Sequence, residues 1–213
     1  DDDDDEVDDA SQASSDDEED ARDYRRGGYH PVLVGDRYNN GRFTVLSKMG
    51  WGHFSTVWLS WDSRTSQPVA LKVQKSAKRY SEAAKDEVEL LRQVARSEPG
   101  PAGHHLVMLA DNFIHRGVNG LHHVMAFEVL GDNLLSLIKA TRYKGLAIAI
   151  VRRIARAVLL AMDHLHARLK IIHTDLKPEN VLCMLSPRQM SSLVASARAQ
   201  LAELHRAADL AAD

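Results

Sequence analysis

Residues His173 to Asn180 read His-Thr-Asp-Leu-Lys-Pro-Glu-Asn and bring a carboxylate, an ammonium and an amide into one short stretch. A carboxylate can take the proton of a hydroxyl, an ammonium can neutralise charge on a phosphate, and an amide oxygen can hold a metal, so the stretch points to phosphoryl transfer. Upstream, Gly50-Trp51-Gly52-His53-Phe54-Ser55-Thr56-Val57 carries two glycines, which let the backbone approach phosphate oxygens with its amide hydrogens forward. The usual third glycine is Ser55 here, so taken alone the run reads first as an ordinary hairpin turn. The residues next along the chain change that reading. Val69-Ala70-Leu71-Lys72 matches a pattern that sets an ammonium against the α- and β-phosphates of a nucleotide, and Glu87 comes fifteen residues after Lys72.

Those residues need elements to position them. Three β-like runs, Arg42 to Lys48, Ser55 to Trp61 and Pro68 to Gln74, are separated by glycine or polar turns and predict an antiparallel meander. Ser81 can cap a helix running to about Arg96, on which Ala84, Glu87, Val88 and Leu91 share one face. A carboxylate among apolar neighbours is costly unless paired, and Lys72 on the adjacent strand is its natural partner. Two further runs, near Leu106 to Ile114 and Leu121 to Val129, complete an expected five-stranded antiparallel sheet with one helix on it. From Leu134 the periodicity turns helical. Ala147 to His166 predicts a core helix with Ile150, Ile154, Ala161 and Leu165 inward and Arg152, Arg153 and Arg156 outward. Beyond Ser186-Pro187, apolar residues from Met190 to Ala208 recur every three or four positions, an amphipathic helix that must dock on something or remain marginal.

With these residues assembled, the chain resembles the protein kinases and, among them, the SR-protein kinases, serine kinases of Arg-Ser-rich splicing factors. The resemblance is carried by Gly27-Gly28-Tyr29-His30-Pro31-Val32, the run from Gly50 to Trp58, Phe127-Glu128-Val129-Leu130-Gly131, and Ile171-Ile172-His173-Thr174-Asp175. It implies an α+β, protein-kinase-like fold of two lobes that uses ATP and Mg2+. Asp175 and Lys177 would be catalytic, Asp175 toward the substrate hydroxyl and Lys177 toward the transferring phosphate, with Asn180 holding the metal. ATP would be held by Gly50, Trp51, Gly52, His53, Ser55, Val57, Ala70, Lys72, Glu87, Phe127, Glu128 and Leu130, with Phe127 as gatekeeper and the backbone of Glu128 and Leu130 at the adenine. His173 would fix the loop backbone. Thr174 stands where most kinases have an Arg that pairs with a phosphate on the activation loop, so no such phosphorylation is expected to be needed. The Trp51 to Phe54 run and Thr174 also argue against neighbouring splicing-related kinase families.

The departure lies after the loop, where the 33 residues beyond Asn180 hold no Asp-Phe-Gly or Asp-Leu-Gly. In the family a long spacer interrupts the kinase domain there, and Met184 to Asp213 looks like its beginning. The expectation is a truncated kinase: an acidic disordered tail over 1–23, a lead-in segment over 24–42, an N-lobe and hinge over 43–130, a partial C-lobe over 131–184 and the start of a spacer over 185–213. Little or no activity is expected of this chain by itself, and a catalytically silent nucleotide-binding or interaction module is the alternative.

Composition agrees with a globular protein bearing a tail. Residues 1–20 hold 13 acidic and no basic residues, which predicts disorder, and the rest carries 27 basic against 17 acidic residues. Ser14 and Ser15, followed by Asp-Asp-Glu-Glu-Asp, would suit an acid-directed kinase, although a solvated spacer is the simpler reading. The basic residues are scattered, with no RNA-binding signature or Cys/His finger, which argues against direct nucleic-acid binding. A single cysteine, Cys183, excludes an internal disulfide. No apolar window is long enough for a membrane span, so no membrane partner is expected. A monomer of the cytoplasm and nucleus acting on Arg-Ser-rich proteins is what the resemblance implies. The paired and single histidines match no metal-binding spacing and read as surface or loop residues.

Overall fold

The computed structural model of the chain describes residues 19–97, 100 and 105–211. Strands β1 (Arg37–Tyr38), β2 (Phe43–Gly52), β3 (Ser55–Asp62) and β4 (Gln67–Gln74) lead into helix α1 (Lys78–Arg96), and strands β5 (Leu109–Gly117) and β6 (Gly120–Phe127) come next. Helices α2 (Leu134–Ala140), α3 (Ile148–Asp163) and α4 (Pro187–Leu210) come after the sheet. The sheet is antiparallel, in the order β1-β2-β3-β4-β6-β5.

It therefore has six strands, not the expected five. The extra one is a hairpin arm within the lead-in segment, with Arg37 opposite Thr44 and Tyr38 opposite Phe43. Its turn takes three successive positive φ angles, Asn39 at 49°, Asn40 at 56° and Gly41 at 83°, a conformation that asparagine and glycine tolerate best. The helix start also moves. The N-cap is Ala77 and not Ser81, because the Ala77 N–H donates to Gly27 O (2.8 Å) and the Ser76 N–H to Gly28 O (3.1 Å). Backbone from the lead-in segment thus fixes this helix start, and no side-chain cap is used.

Side chains alternate across a strand, and directly opposed residues share a face, so register sorts the core into two layers. One face buries Val45, Trp58, Val69, Leu71, Val73, Val124 and Ala126, with Val32, Tyr38 and Phe43 closing over its end. The other face carries Val57 opposite Lys72, Leu59 opposite Ala70 and Trp61 opposite Pro68. At the Trp61 end of that face sits α4, whose Ala197 is fully buried with Leu46, Leu59, Trp61 and Val129, flanked by Leu193, Val194, Leu201 and Leu204. The amphipathic helix expected to begin a spacer docks on the small lobe.

Two other expectations change. Residues 19–23, assigned to the acidic tail, are tied down: Glu19 is buried and pairs with Lys48, and Asp23 pairs with Lys75 at 2.7 Å. Residues 1–18 of that tail lie outside the described residues. The histidines are not all superficial either. His30 and His122 are buried with ring centroids 5.0 Å apart, His122 Nδ1 lies 2.8 Å from Gln74 O, and His164 Nε2 lies 2.8 Å from Ser97 Oγ. Conversely, the predicted core helix α3 leaves Ile148, Ile150, Val151 and Leu159 exposed and buries only Ala161, before a wider π-helical turn at His164–Leu169.

The sheet is locked at one corner by a buried ion pair. Arg42 donates from Nε and Nη2 to the two Asp62 oxygens at 2.8 and 2.7 Å and also pairs with Asp111. The Arg42 guanidinium holds the Asp62 carboxyl down at about 2, below its ordinary value. The stabilisation it gives is complete above the ordinary carboxylate pKa of about 3.9 and is lost as pH falls toward 2. Urea-unfolding midpoints of the wild type should therefore drop between about pH 4 and 2.5. Arg42→Ala should lower stability by about 3 kcal/mol at pH 7 by leaving a buried carboxylate uncompensated, and should flatten that acid slope.

Candidate active site

Lys72 lies near the middle of β4, opposite Val57 of β3 and Met125 of β6. Its Nζ is 2.6 Å from Glu87 Oε1 on α1. Gln74, two residues on and so on the same face, donates from Nε2 to Glu87 Oε2 at 3.1 Å. The sequence points to Lys72 and Glu87 as partners and misses Gln74, for which the strand period is the only available signal. The pair is not as deeply set as the apolar helix face suggests: the two side chains are 26% and 36% exposed, so the ammonium remains open on one side. Ala70 lies opposite Phe127, which puts Val57, Ala70, Lys72 and Phe127 on one face of the sheet. α1 stands at one end of that face and α4 at the other, and in the strip between them Val57, Lys72 and Phe127 are partly exposed while Ala70 and Met125 are buried.

The glycine-rich run forms the hairpin between β2 and β3, with Gly52 opposite Ser55. A Cβ built at Gly50 or Gly52 would meet no heavy atom within 4 Å, so nothing among the described residues crowds out a side chain there. Room for a ligand to approach the backbone is the remaining physical use. His53 and Phe54 at the tip turn toward Tyr80 of α1, with Phe54 and Tyr80 centroids 5.7 Å apart, and the Lys75 N–H donates to Phe54 O at 2.9 Å. Trp51 is 42% exposed, whereas Ser55 is buried between Gly52 and Gln74 in the sheet.

The hinge leaves β6 at Phe127. Glu128 uses its side chain to accept from the Met108 N–H at 3.2 Å, Val129 is buried under α4, and Leu130 is half-buried. The Gly131 N–H donates to Cys183 O, the Cys183 N–H to Asp132 O and the Leu134 N–H to Val181 O, at 2.8, 2.9 and 2.8 Å. A Cβ on Gly131 would stand 3.3 Å from that same Cys183 oxygen, which favours glycine here. The segment directly after the His173 to Asn180 stretch is thereby pinned to the hinge exit.

Within that stretch, Asp175 and Lys177 approach to 3.0 Å, and Asn180 Nδ2 donates to both the backbone O and Oδ2 of Asp175 at 2.9 Å. Hydrogen bonding from Lys177, and then from Asn180, lowers the Asp175 pKa and keeps it an ionised acceptor. The His173 carbonyl accepts from the Asp175 N–H at 2.8 Å, while the buried Nδ1 of its ring has no hydrogen-bond partner among the described residues. Thr174 sits at φ 62°, a strained conformation for a β-branched residue. That strain turns the chain sharply just before Asp175, and composition gives no sign of it.

Known proteins resemble the chain in sequence. A family model described as "Protein kinase domain" matches residues 43–193. The chain belongs to the protein kinase family. It is 52% identical over 172 residues to "Serine/threonine-protein kinase spk-1" of Caenorhabditis elegans, covering 80% of this chain and 17% of that one. It is 50% identical over 179 residues to "SRSF protein kinase 3" of Homo sapiens, covering 84% of this chain and 31% of that one. "Protein kinase dsk1" of Schizosaccharomyces pombe is 47% identical over 178 residues, covering 83% and 33%. The likeness to SR-protein kinases carried by the sequence motifs is borne out, and the chain spans a third or less of the length of these relatives.

The ion pair between strand and helix is partly exposed, so it contributes little to the fold. Lys72→Met and Glu87→Gln should each change stability by no more than about 1 kcal/mol, a melting shift of roughly 2–4 °C in a differential scanning measurement. A larger drop would mark the pair as structural.

Proposed function

We propose that this chain carries the nucleotide-binding lobe and catalytic loop of a serine/threonine kinase of the SR-protein type, which transfers the γ-phosphate of ATP to serines of Arg-Ser-rich proteins. The observation that carries the reading is the 2.6 Å contact of Lys72 with Glu87, which holds a partly open ammonium on the same sheet face as Val57, Ala70 and Phe127. The strip between α1 and α4 would take the adenine under Val57 and Ala70, with the backbone of Glu128 and Leu130 at its edge. Gly50, Trp51, Gly52, His53 and the Ser55 backbone would face the phosphates. Lys72 would neutralise the α- and β-phosphates.

Asp175 would orient the serine hydroxyl and accept its proton, a role that its lowered pKa supports. Lys177 would balance charge on the transferring group. Asn180 is suited to Mg2+ because its amide nitrogen is engaged with Asp175, which leaves Oδ1 as an acceptor. Among the described residues no cluster of three or more His, Cys, Asp or Glu could hold a metal, and Asn180 Oδ1 is the ligand this loop would offer. Bound there, Mg2+ would neutralise charge on the β- and γ-phosphates. Thr174, having no guanidinium, supports an enzyme that needs no phosphorylated activation loop.

Calorimetric titration tests the reading. ATP should bind the 213-residue chain at least about tenfold more tightly with Mg2+ than without, and Lys72→Met should lose about tenfold. Equal affinity with and without the ion would favour the silent module. On the complete product of the gene, an Arg-Ser-repeat peptide should be phosphorylated in preference to a proline-directed one, and Asp175→Asn should cut turnover by about 100-fold or more. Phosphatase treatment should leave that turnover intact, and the present chain alone should show little or none.

A further inference from the structure

Outside the strip between α1 and α4, the most elaborate arrangement in the small lobe surrounds Tyr29 of the lead-in segment. Its side chain is 1% exposed, and its hydroxyl donates to the Gly52 carbonyl at 2.8 Å, inside the glycine-rich turn. The ring is gripped from two sides: Lys75 Nζ stands 4.3 Å from its centroid, and the Tyr24 ring lies at 5.5 Å. Lys75, itself 5% exposed, is neutralised by Asp23 at 2.7 Å. The Tyr29 main chain is fixed as well, its N–H donating to Asp23 O at 2.9 Å and its carbonyl accepting from Asn119 Nδ2 at 2.6 Å. At the neighbouring Gly28, a Cβ would fall 1.8 Å from Asp23 O, so the loop that presents Tyr29 closes only with glycine there.

A buried cation, two aromatic rings and an obligatory glycine are a large investment for a single hydroxyl. The peptide group gives it a purpose. In a planar trans peptide the carbonyl of one residue and the N–H of the next point in opposite directions. Pinning the Gly52 carbonyl toward Tyr29 therefore aims the His53 N–H away from Tyr29, out of the other side of the turn. Gly52 has no side chain to restrict its own φ and ψ, and its ladder pairing with Ser55 holds this peptide from one side only, so the Tyr29 hydroxyl adds a second hold on the same carbonyl. Burial pushes the Tyr29 hydroxyl pKa up to about 12, so it stays a donor throughout the neutral range.

We propose that Tyr29 is a positioning residue for the glycine-rich turn, fixing the Gly52–His53 peptide so that its N–H is already aimed at the phosphates of an incoming nucleotide. The inference rests on reading residues 50–57 as a nucleotide site. The lead-in segment, with Asp23 and Lys75 behind it, is then part of the phosphate-binding apparatus.

The test uses the 213-residue chain, with two readouts for Tyr29→Phe. Hydrogen exchange should speed up at the amides of residues 50–55 while Leu71 and Val73 of β4 keep their protection, and ATP affinity with Mg2+ should weaken about three- to tenfold. The melting temperature should fall by no more than about 2–4 °C, the loss of one hydrogen bond, because the ring keeps its place under Lys75. Asp23→Asn, which frees Lys75 without touching the turn, should give a smaller change in the same direction. Unchanged exchange at 50–55, or unchanged ATP affinity in a wild type that does bind ATP, overturns the proposal. Should wild type and Lys72→Met alike bind no ATP, the nucleotide reading has failed, and the anchoring then stands or falls on the exchange rates alone.

Discussion

A small antiparallel sheet with two apolar faces must have both covered, and this sheet carries the ammonium of Lys72 on one of them. That constraint organises the molecule. Val32, Tyr38 and Phe43 close over the end of one face, while on the other α1 takes the Lys72 end and α4 the Leu59 and Trp61 end. Covering the second face entirely would bury Lys72 with only Glu87 for company, at a desolvation cost that one ion pair does not reliably offset. Leaving it bare would expose Leu59 and Trp61 to water. Two helices set apart meet both demands, with a polar contact under one and an alanine-centred apolar contact under the other.

Legibility in the sequence divides along the same line. Strands β2, β3, β4 and β6, the long helix and the Lys72–Glu87 partnership are legible because period and residue type are local signals. The first hairpin arm is not: Asn39-Asn40-Gly41 reads as a turn, but two residues of strand on one side of it are too few for alternation to register. The start of α1 departs from Ser81 because its cap is main chain from Gly27 and Gly28, which no pattern near Ala77 announces. The burial of His122 and His164 depends on partners 48 and 67 residues away in sequence, Gln74 and Ser97. In the candidate site, residue types and spacing name the chemistry, whereas Gln74, Tyr29 and the strained φ of Thr174 are matters of fold.

The two halves of the site are held by different physics. Lys72 and Glu87 belong to a rigid sheet and its helix. Asp175, Lys177 and Asn180 belong to an exposed loop that organises itself through mutual hydrogen bonds, with the carboxylate engaged by two cationic or amide donors before any ligand is present. A loop of that kind gains order from its own contacts but takes its location from whatever anchors its ends. One anchor is visible in the backbone bonds between Val181, Cys183 and the hinge exit.

Those bonds make a small clasp. The chain leaves the hinge at Gly131 and, after α2, α3 and the loop, returns to the same spot at Cys183, where the outgoing and returning segments are bonded side by side before the polypeptide runs on into α4. Everything between is topologically an ear, attached at its root and touched once more where His164 Nε2 lies 2.8 Å from Ser97 Oγ. Slack or growth within the ear does not disturb the register of the sheet. A pull on α4, by contrast, is felt first at the clasp and only afterwards by the loop that the clasp holds in place.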